Sequence, residues 1–176
     1  MVTLVNPIGN FPLHDDWAFS WTVRTLLETG QFRPSDWTAT NTLSQVLFGA
    51  LFCLPLGFSF NALRLSTLTL GFIGVLVTYA LLREVGAGRA VALLGALLIA
   101  IDPPYFNLAN SFMTDVPSFT FFISAVYFLL IGLRRPSNIY LISGIFLSVV
   151  AVLNRQSNLI IVPAGIIRLT YQINRW

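Results

Sequence analysis

Long apolar stretches, separated by short polar connections, dominate the second half of the chain. Three uncharged runs cover residues 65–82, 116–133 and 136–154, and each approaches the roughly 20 residues that a helix needs to cross a bilayer core. Two shorter runs, residues 90–101 and 156–167, need tilt or polar flanks to complete a crossing. The pattern predicts an all-α, multi-pass transmembrane helical bundle with about five crossings.

Residues 42–60 are also uncharged, but their pattern leaves two interpretations open. If this stretch spans the membrane, the acids near the start of the chain lie on the opposite face from Asp115. If it lies along the interface as a juxtamembrane helix, all of these acids share one face. We expect the interfacial arrangement, because Gly49, Pro55 and Gly57 weaken a regular crossing helix.

This interpretation divides the chain into an external segment with juxtamembrane helices, residues 1–63, and a transmembrane bundle, residues 64–176. The external segment then has no preceding helix to start its translocation. We therefore expect a first transmembrane helix, and carboxy-terminal helices as well, to be missing from what would be one incomplete domain.

Composition agrees with a membrane protein and excludes some other classes. The 176 residues are 56% hydrophobic and 10% charged, whereas soluble domains carry roughly a quarter charged residues. The net charge of +3 comes from arginines alone, and these are scattered rather than clustered. This distribution argues against nucleic acid as a partner. A single cysteine excludes an internal disulfide.

The arginines also predict which connections share a face of the membrane, because arginines near helix ends collect on the cytoplasmic side. These arginines lie at three sites that fall on alternate connections between the predicted helices. The intervening connections, residues 102–115 and 154–158, are therefore placed on the outer face. Of the seven acids, only Glu84 is then inside. The inward-facing arginines are Arg83, Arg89, Arg134, Arg135, Arg168 and Arg175.

Carboxylates at a membrane edge are costly to place and therefore often mark a site. Asp15 and Asp16 occur side by side in "HDDWAF", and on a helix they point about 100° apart. One can accept a proton from an attacking hydroxyl while the other contacts a neighbour or an ion. Asp115, just before Pro117, shares their predicted face. The alternative role for each is capping a helix.

Two arginines at outer helix ends, Arg64 and Arg155, offer forked donors that match phosphate oxygens. Arg155 is the better candidate, and the alternatives are snorkelling to lipid headgroups or pairing with an acid. His14 could join Asp16 and Asp115 around a divalent cation, although a lone histidine is more often a surface residue. Metal dependence is left open.

Five motifs, taken in order, resemble the amino-terminal part of the protein O-mannosyltransferase-like family. These enzymes belong to the GT-C glycosyltransferase superfamily, together with the lipid A aminoarabinose transferases. The resemblance implies transfer of a sugar from a polyprenyl-phosphate donor to a glycan, lipid or protein acceptor outside the cytoplasm. The motifs are "HDDWAF", "LLETGQF", "ALRLSTLTLG", "NSFMTDVPSFTFF" and "LNRQSNLIIVPAG".

The resemblance also implies roles for the candidate residues. Asp15 matches the catalytic base, and Asp16 matches a second acid that is usually glutamate in the family. Asp115 matches the aspartate of the second external loop, while Arg64 and Arg155 match positions where basic residues are common. The chain departs from the family at "TATNTLSQ", where relatives often carry a Lys-Pro-Pro-like segment.

The expected function is therefore that of a membrane glycosyltransferase in the bacterial inner membrane, with its active site facing outward. Two alternatives stay open at this point. One is a transporter or flippase segment with an external acidic ion site. The other is an inactive fragment whose helices only pack with others.

Overall fold

The computed structural model of the protein describes residues 9–13, 15–38, 42–135 and 137–161. Within these ranges the chain forms seven α-helices and one short 3-10 helix, and no β-strand. The prediction of an all-α bundle is therefore confirmed. The α-helices are α1 (Asp16–Thr29), α2 (Leu43–Leu56), α3 (Phe60–Glu84), α4 (Arg89–Ile101), α5 (Pro103–Ala109), α6 (Asp115–Arg134) and α7 (Asn138–Asn154), and the 3-10 helix is Gln156–Ile160.

Not every predicted crossing corresponds to a described helix that is long enough to span a membrane. Among the described residues, α3 with 25 residues and α6 with 20 are long and apolar enough to span a membrane. Helices α4 and α5 count as a third span if they are taken as one broken helix, since they meet at a bend of 62°. The predicted run 136–154 forms α7, which is a shorter apolar helix of 17 residues. The predicted run 156–167 extends beyond the described residues.

The bend between α4 and α5 has a local cause. Asp102 accepts a hydrogen bond from the backbone N–H of Tyr105 at 3.0 Å and so caps α5. Pro103 and Pro104 cannot donate the backbone hydrogen bonds that would continue α4. The sequence predicted a connecting loop for residues 102–115, and the structure instead places a short helix within it.

The directions of the helices define two ends of the bundle. Helices α3 and α6 run in parallel, because Arg134 Nη1 near the end of α6 lies 3.5 Å from Glu84 Oε1 at the end of α3. Helix α7 runs back, since Asn154 Nδ2 donates to the carbonyl of Thr114, just before α6, at 3.1 Å. We name the two ends after Arg134 and Asp115.

Small residues allow the helices to pack closely, as is typical of membrane bundles. A Cβ atom added at Gly144 of α7 would lie only 2.8 Å from the backbone N of Leu129 in α6. On α3, a Cβ at Gly74 would lie 2.6 Å from the hydroxyl of Thr120 in α6. That hydroxyl donates to the carbonyl of Leu70 at 2.9 Å. These contacts fix α3, α6 and α7 against one another.

Helix α2 remains at the Asp115 end along its whole length. Near its start, Gln45 Nε2 donates to the carbonyl of Phe112 at 3.0 Å. Its last residue is separated by only three residues from the start of α3, which lies at the same end. Both ends of α2 therefore lie at the Asp115 end, and its location along the membrane interface stays a prediction. The buried apolar cluster around α2 comprises Val23, Val46, Ala50, Cys53, Ala62, Leu63 and Phe112.

Candidate functional site

The backbone between α5 and α6, residues 110–114, is irregular and buried at the Asp115 end. Asn110, Ser111 and Phe112 are each 1% exposed, and Thr114 is 3% exposed. Buried backbone N–H and C=O groups outside a helix need partners, since water does not reach them. Polar side chains of α1, α2 and α7 supply several of these partners. Three separate helices therefore meet at this segment.

Asp16, the first residue of α1, connects that helix to the 110–114 segment. The residue is 0% exposed. Its Oδ1 accepts a hydrogen bond from the backbone N–H of Leu13 at 2.7 Å, and its Oδ2 accepts one from the N–H of Phe112 at 3.4 Å. By this geometry Asp16 is the member of the adjacent pair that contacts neighbouring groups of the protein.

Asp15 has the opposite environment. It occupies the position before α1, it is exposed, and its side chain makes no capping hydrogen bond to the helix. Helical geometry had indicated that the two adjacent carboxylates face different surroundings, without indicating which one is buried. The structure assigns the accessible carboxylate to Asp15. This carboxylate is therefore open to a ligand at the Asp115 end.

Arg64, near the start of α3, is 2% exposed. Its Nη1 donates to the carbonyl of Gly9 at 3.0 Å, and its Nη2 donates to the carbonyl of Phe11. The guanidinium also lies 5.2 Å from the centre of the Phe11 ring and is attracted by the Asp16 carboxylate. This geometry favours the alternative of an acid-paired, structural arginine over that of a phosphate ligand.

Asp115 and Arg155 form an ion pair between the start of α6 and the end of α7. Arg155 Nη1 donates to Asp115 Oδ1, and the two side chains are 38% and 36% exposed, respectively. Asp115 itself is not the cap of α6, because the N-cap position is Thr114. The pair is thus reachable from outside the protein. It presents a cation held in place by a carboxylate.

Two buried residues that bind the 110–114 segment were not predicted from the sequence. Gln45 is 1% exposed and Asn154 is 0% exposed, and their side-chain amides donate to the carbonyls of Phe112 and Thr114, respectively. The signal available in the sequence was the presence of an uncharged polar side chain next to or within an apolar run. That signal marks a buried hydrogen bond without revealing its partner.

The described residues do not form a cation site by themselves. No group of three or more histidine, cysteine, aspartate or glutamate side chains in the described part of the chain could hold a metal ion. The carboxylate of Asp16 is occupied by backbone N–H groups, and that of Asp115 by Arg155. His14 lies outside the described residues.

Comparison with known proteins identifies the family of the chain. The model of the dolichyl-phosphate-mannose-protein mannosyltransferase family matches residues 44–176, which is more than half of the chain. The chain belongs to this family. Searches among curated proteins and among solved structures gave no significant match. The family match confirms the resemblance to mannosyltransferase-like GT-C enzymes that the motifs indicated.

This membership makes the chain part of a membrane glycosyltransferase family. The matched residues include part of the candidate site. Arg64, Asp115 and Arg155 lie within the matched residues, whereas Asp15 and Asp16 precede them. The acidic pair is connected to the matched part through the hydrogen bond between Asp16 and Phe112. The roles of all five residues depend on geometry and chemistry rather than on the family match.

Proposed function

We propose that this protein transfers a sugar from a polyprenyl-phosphate donor to an acceptor hydroxyl, with inversion at the anomeric carbon. The observation that carries the proposal is the location of the exposed Asp15 and of the Asp115–Arg155 ion pair at one end of the bundle. An apolar scaffold suits this chemistry, because the lipid tail of the donor can lie between helices while its phosphate remains at the edge.

In the proposed reaction the acceptor oxygen attacks the anomeric carbon and forms the new glycosidic bond. The bond between that carbon and the phosphate oxygen breaks, and polyprenyl phosphate leaves with the electron pair. The acceptor proton passes to the carboxylate of Asp15, which acts as general base. No general acid is needed, because the leaving group is already a phosphate.

Arg155 is proposed to stabilise the charge that develops on the departing phosphate. A guanidinium matches phosphate oxygens with two parallel donors. One of its donors binds Asp115, which leaves further N–H groups for a ligand, and the side chain is 38% exposed. Asp115 orients the cation, and its negative charge limits the affinity for the product so that polyprenyl phosphate can leave.

Helix α1 and helix α2 are proposed to lie at the outer surface of a bacterial inner membrane. Two features support this location. The arginines Arg134 and Arg135 mark the opposite end, as expected for a cytoplasmic face. On α2, the side chains opposite the buried cluster are apolar and exposed, which suits an interfacial helix. These side chains are Leu47, Leu51 and Leu54.

A transporter or flippase remains the rival from another class. Transporters place charged groups near the middle of the membrane, on broken helices. Here the ion pair lies at the start of α6 and the end of α7, and the acidic pair lies at the start of α1. Asp102, at the break between α4 and α5, caps α5 through the N–H of Tyr105. The edge position of these charges supports transfer of a group rather than passage of an ion.

The test is a transfer assay on the intact protein in liposomes, with a radiolabelled mannosyl or aminopentosyl polyprenyl phosphate and a panel of acceptors. We expect Asp15→Asn to lower turnover by about 10²- to 10⁴-fold. Arg155→Ala should lower it as well, and Arg24→Ala on α1 is a matched arginine control away from the ion pair. Undiminished turnover in Asp15→Asn would remove Asp15 from the role of base.

A further inference from the structure

We infer that Gln45 and Asn154 are positioning residues, which hold the 110–114 segment so that Asp115 meets Arg155 at the angle needed for transfer. This inference rests on the proposed function. Neither side chain touches the proposed substrate. Each acts through the main chain of the segment that leads into α6.

Asn154 sets the register between α7 and α6. Its Nδ2 donates to the carbonyl of Thr114 at 3.1 Å, and the next residue on each side forms the Arg155–Asp115 ion pair. Asn154 and Arg155 at the end of α7 are thereby joined to Thr114 and Asp115 at the start of α6. A shift of α7 along α6 by one residue would break both contacts.

Gln45 holds the same segment from the side of α2. Its Nε2 donates to the carbonyl of Phe112 at 3.0 Å, while the N–H of Phe112 donates to Asp16 at 3.4 Å. The backbone C=O and N–H of Phe112 are therefore bound by side chains of two different helices. Next to Gln45, the hydroxyl of Ser44 donates to the carbonyl of Val150, one turn before Asn154.

Stability alone does not explain these two amides. Gln45 Oε1 and Asn154 Oδ1 are buried and have no hydrogen-bond partner among the residues that the structure describes. Leaving a buried polar atom unpaired costs about 1–3 kcal/mol. The contacts that both side chains do make are to backbone carbonyls of the 110–114 segment, so placement of this segment is the contribution that the geometry indicates. Departures from an optimal buried interior are expected at functional sites.

The experiment compares Asn154→Asp, Asn154→Leu and Gln45→Leu with the unmodified protein. Asn158→Leu is the matched control, because Asn158 is buried at the same helix end but donates to Ser118 and Ala151 instead of to the 110–114 segment. For the Asn154 and Gln45 variants we expect kcat to fall by about 10- to 100-fold with little change in the KM of the donor. For Asn158→Leu, kcat should stay close to that of the unmodified protein.

A pH profile separates positioning from general loss of structure. In Asn154→Asp, a protonated carboxyl can donate to the Thr114 carbonyl, but an ionised carboxylate repels it. The ratio of variant to unmodified kcat should therefore rise as the pH falls. A ratio that does not change with pH, or an equal loss of kcat in Asn158→Leu, would overturn the inference.

A measurement that does not depend on sugar transfer distinguishes failure of this inference from failure of the proposed function. If the unmodified protein transfers no sugar from any donor, amide hydrogen exchange at residues 112–116 still tests the placement of the segment. Faster exchange there in Asn154→Leu than in Asn158→Leu supports the positioning of this segment. Equal exchange in the two variants contradicts it.

Discussion

Replacing Asp16 by asparagine separates the buried carboxylate of Asp16 from that of Asp15, which we propose as the general base. The change keeps the size of the side chain and one carbonyl oxygen, but it removes the negative charge. Asp16 is fully buried and binds the N–H groups of Leu13 and Phe112 at 2.7 and 3.4 Å. Its charge also lies near the buried guanidinium of Arg64. We therefore expect Asp16→Asn to destabilise the fold.

The magnitude follows from the contacts. Hydrogen bonds to a charged acceptor contribute about 1.5–3 kcal/mol each, and one of the two can persist in weaker form with the amide oxygen. Removing one member of a buried charge pair costs about 3–5 kcal/mol when the other stays uncompensated. Arg64 keeps its bonds to the carbonyls of Gly9 and Phe11. We expect a loss of about 2–4 kcal/mol in the free energy of unfolding.

The assay is thermal unfolding of the purified protein in detergent, followed by tryptophan fluorescence. At about 2–4 °C per kcal/mol for a chain of this length, Tm should fall by about 4–16 °C. Asp15→Asn is the matched control, because the adjacent acid is exposed and makes no capping bond. It should leave Tm unchanged while it lowers sugar transfer.

The opposite pattern would refute this division. If Asp15→Asn lowered Tm as much as Asp16→Asn, the accessible carboxylate would be a structural one as well. If Asp16→Asn left Tm unchanged, the hydrogen bonds of Asp16 would not connect α1 to the 110–114 segment. Either result would remove the physical basis for choosing Asp15 as the base.

Three further predictions concern packing, burial and surface charge. Gly144→Ala should destabilise the fold by about 1–3 kcal/mol in thermal unfolding, because the new Cβ would lie 2.8 Å from a backbone atom, whereas Gly88→Ala has nothing within 4 Å. Burial raises the pKa of the Cys53 thiol and leaves the residue 2% exposed, so its maleimide labelling in the native protein should be much slower than in unfolded protein at the same pH. Glu84→Gln removes ion pairs with Arg134 and Arg135, whose side chains are 41% and 65% exposed, so the stability loss should stay below about 1 kcal/mol and vanish in high salt.

The helices could be predicted from the sequence where apolar character extends over a full span. The predicted runs 65–82, 116–133 and 136–154 lie within or close to α3, α6 and α7. Length and hydropathy are local properties, so no knowledge of neighbours was needed. The bend between α4 and α5 was not predicted, because the prolines after Asp102 were interpreted as part of a loop.

The candidate site was predictable in its location but not in its internal contacts. Arginine distribution placed Asp115 and Arg155 at one end, and the structure pairs them. The different environments of Asp15 and Asp16 depend on where α1 rests, which helical periodicity cannot supply. The burial of Arg64 depends on two backbone carbonyls more than fifty positions earlier. Carbonyl partners leave no trace in the pattern of side chains.

The bend after α4 and the polar side chains of the site have a common physical origin. Helix α5 turns away at 62° and ends before α6 begins, which leaves the 110–114 backbone irregular and buried. Such backbone is tolerated in a membrane bundle only where the protein itself provides hydrogen-bond partners. Asp16, Gln45 and Asn154 provide them for this segment. The irregular backbone that follows the break therefore requires these side chains as partners. A change that straightened the α4–α5 break would remove this requirement and displace the 110–114 segment together with the bend.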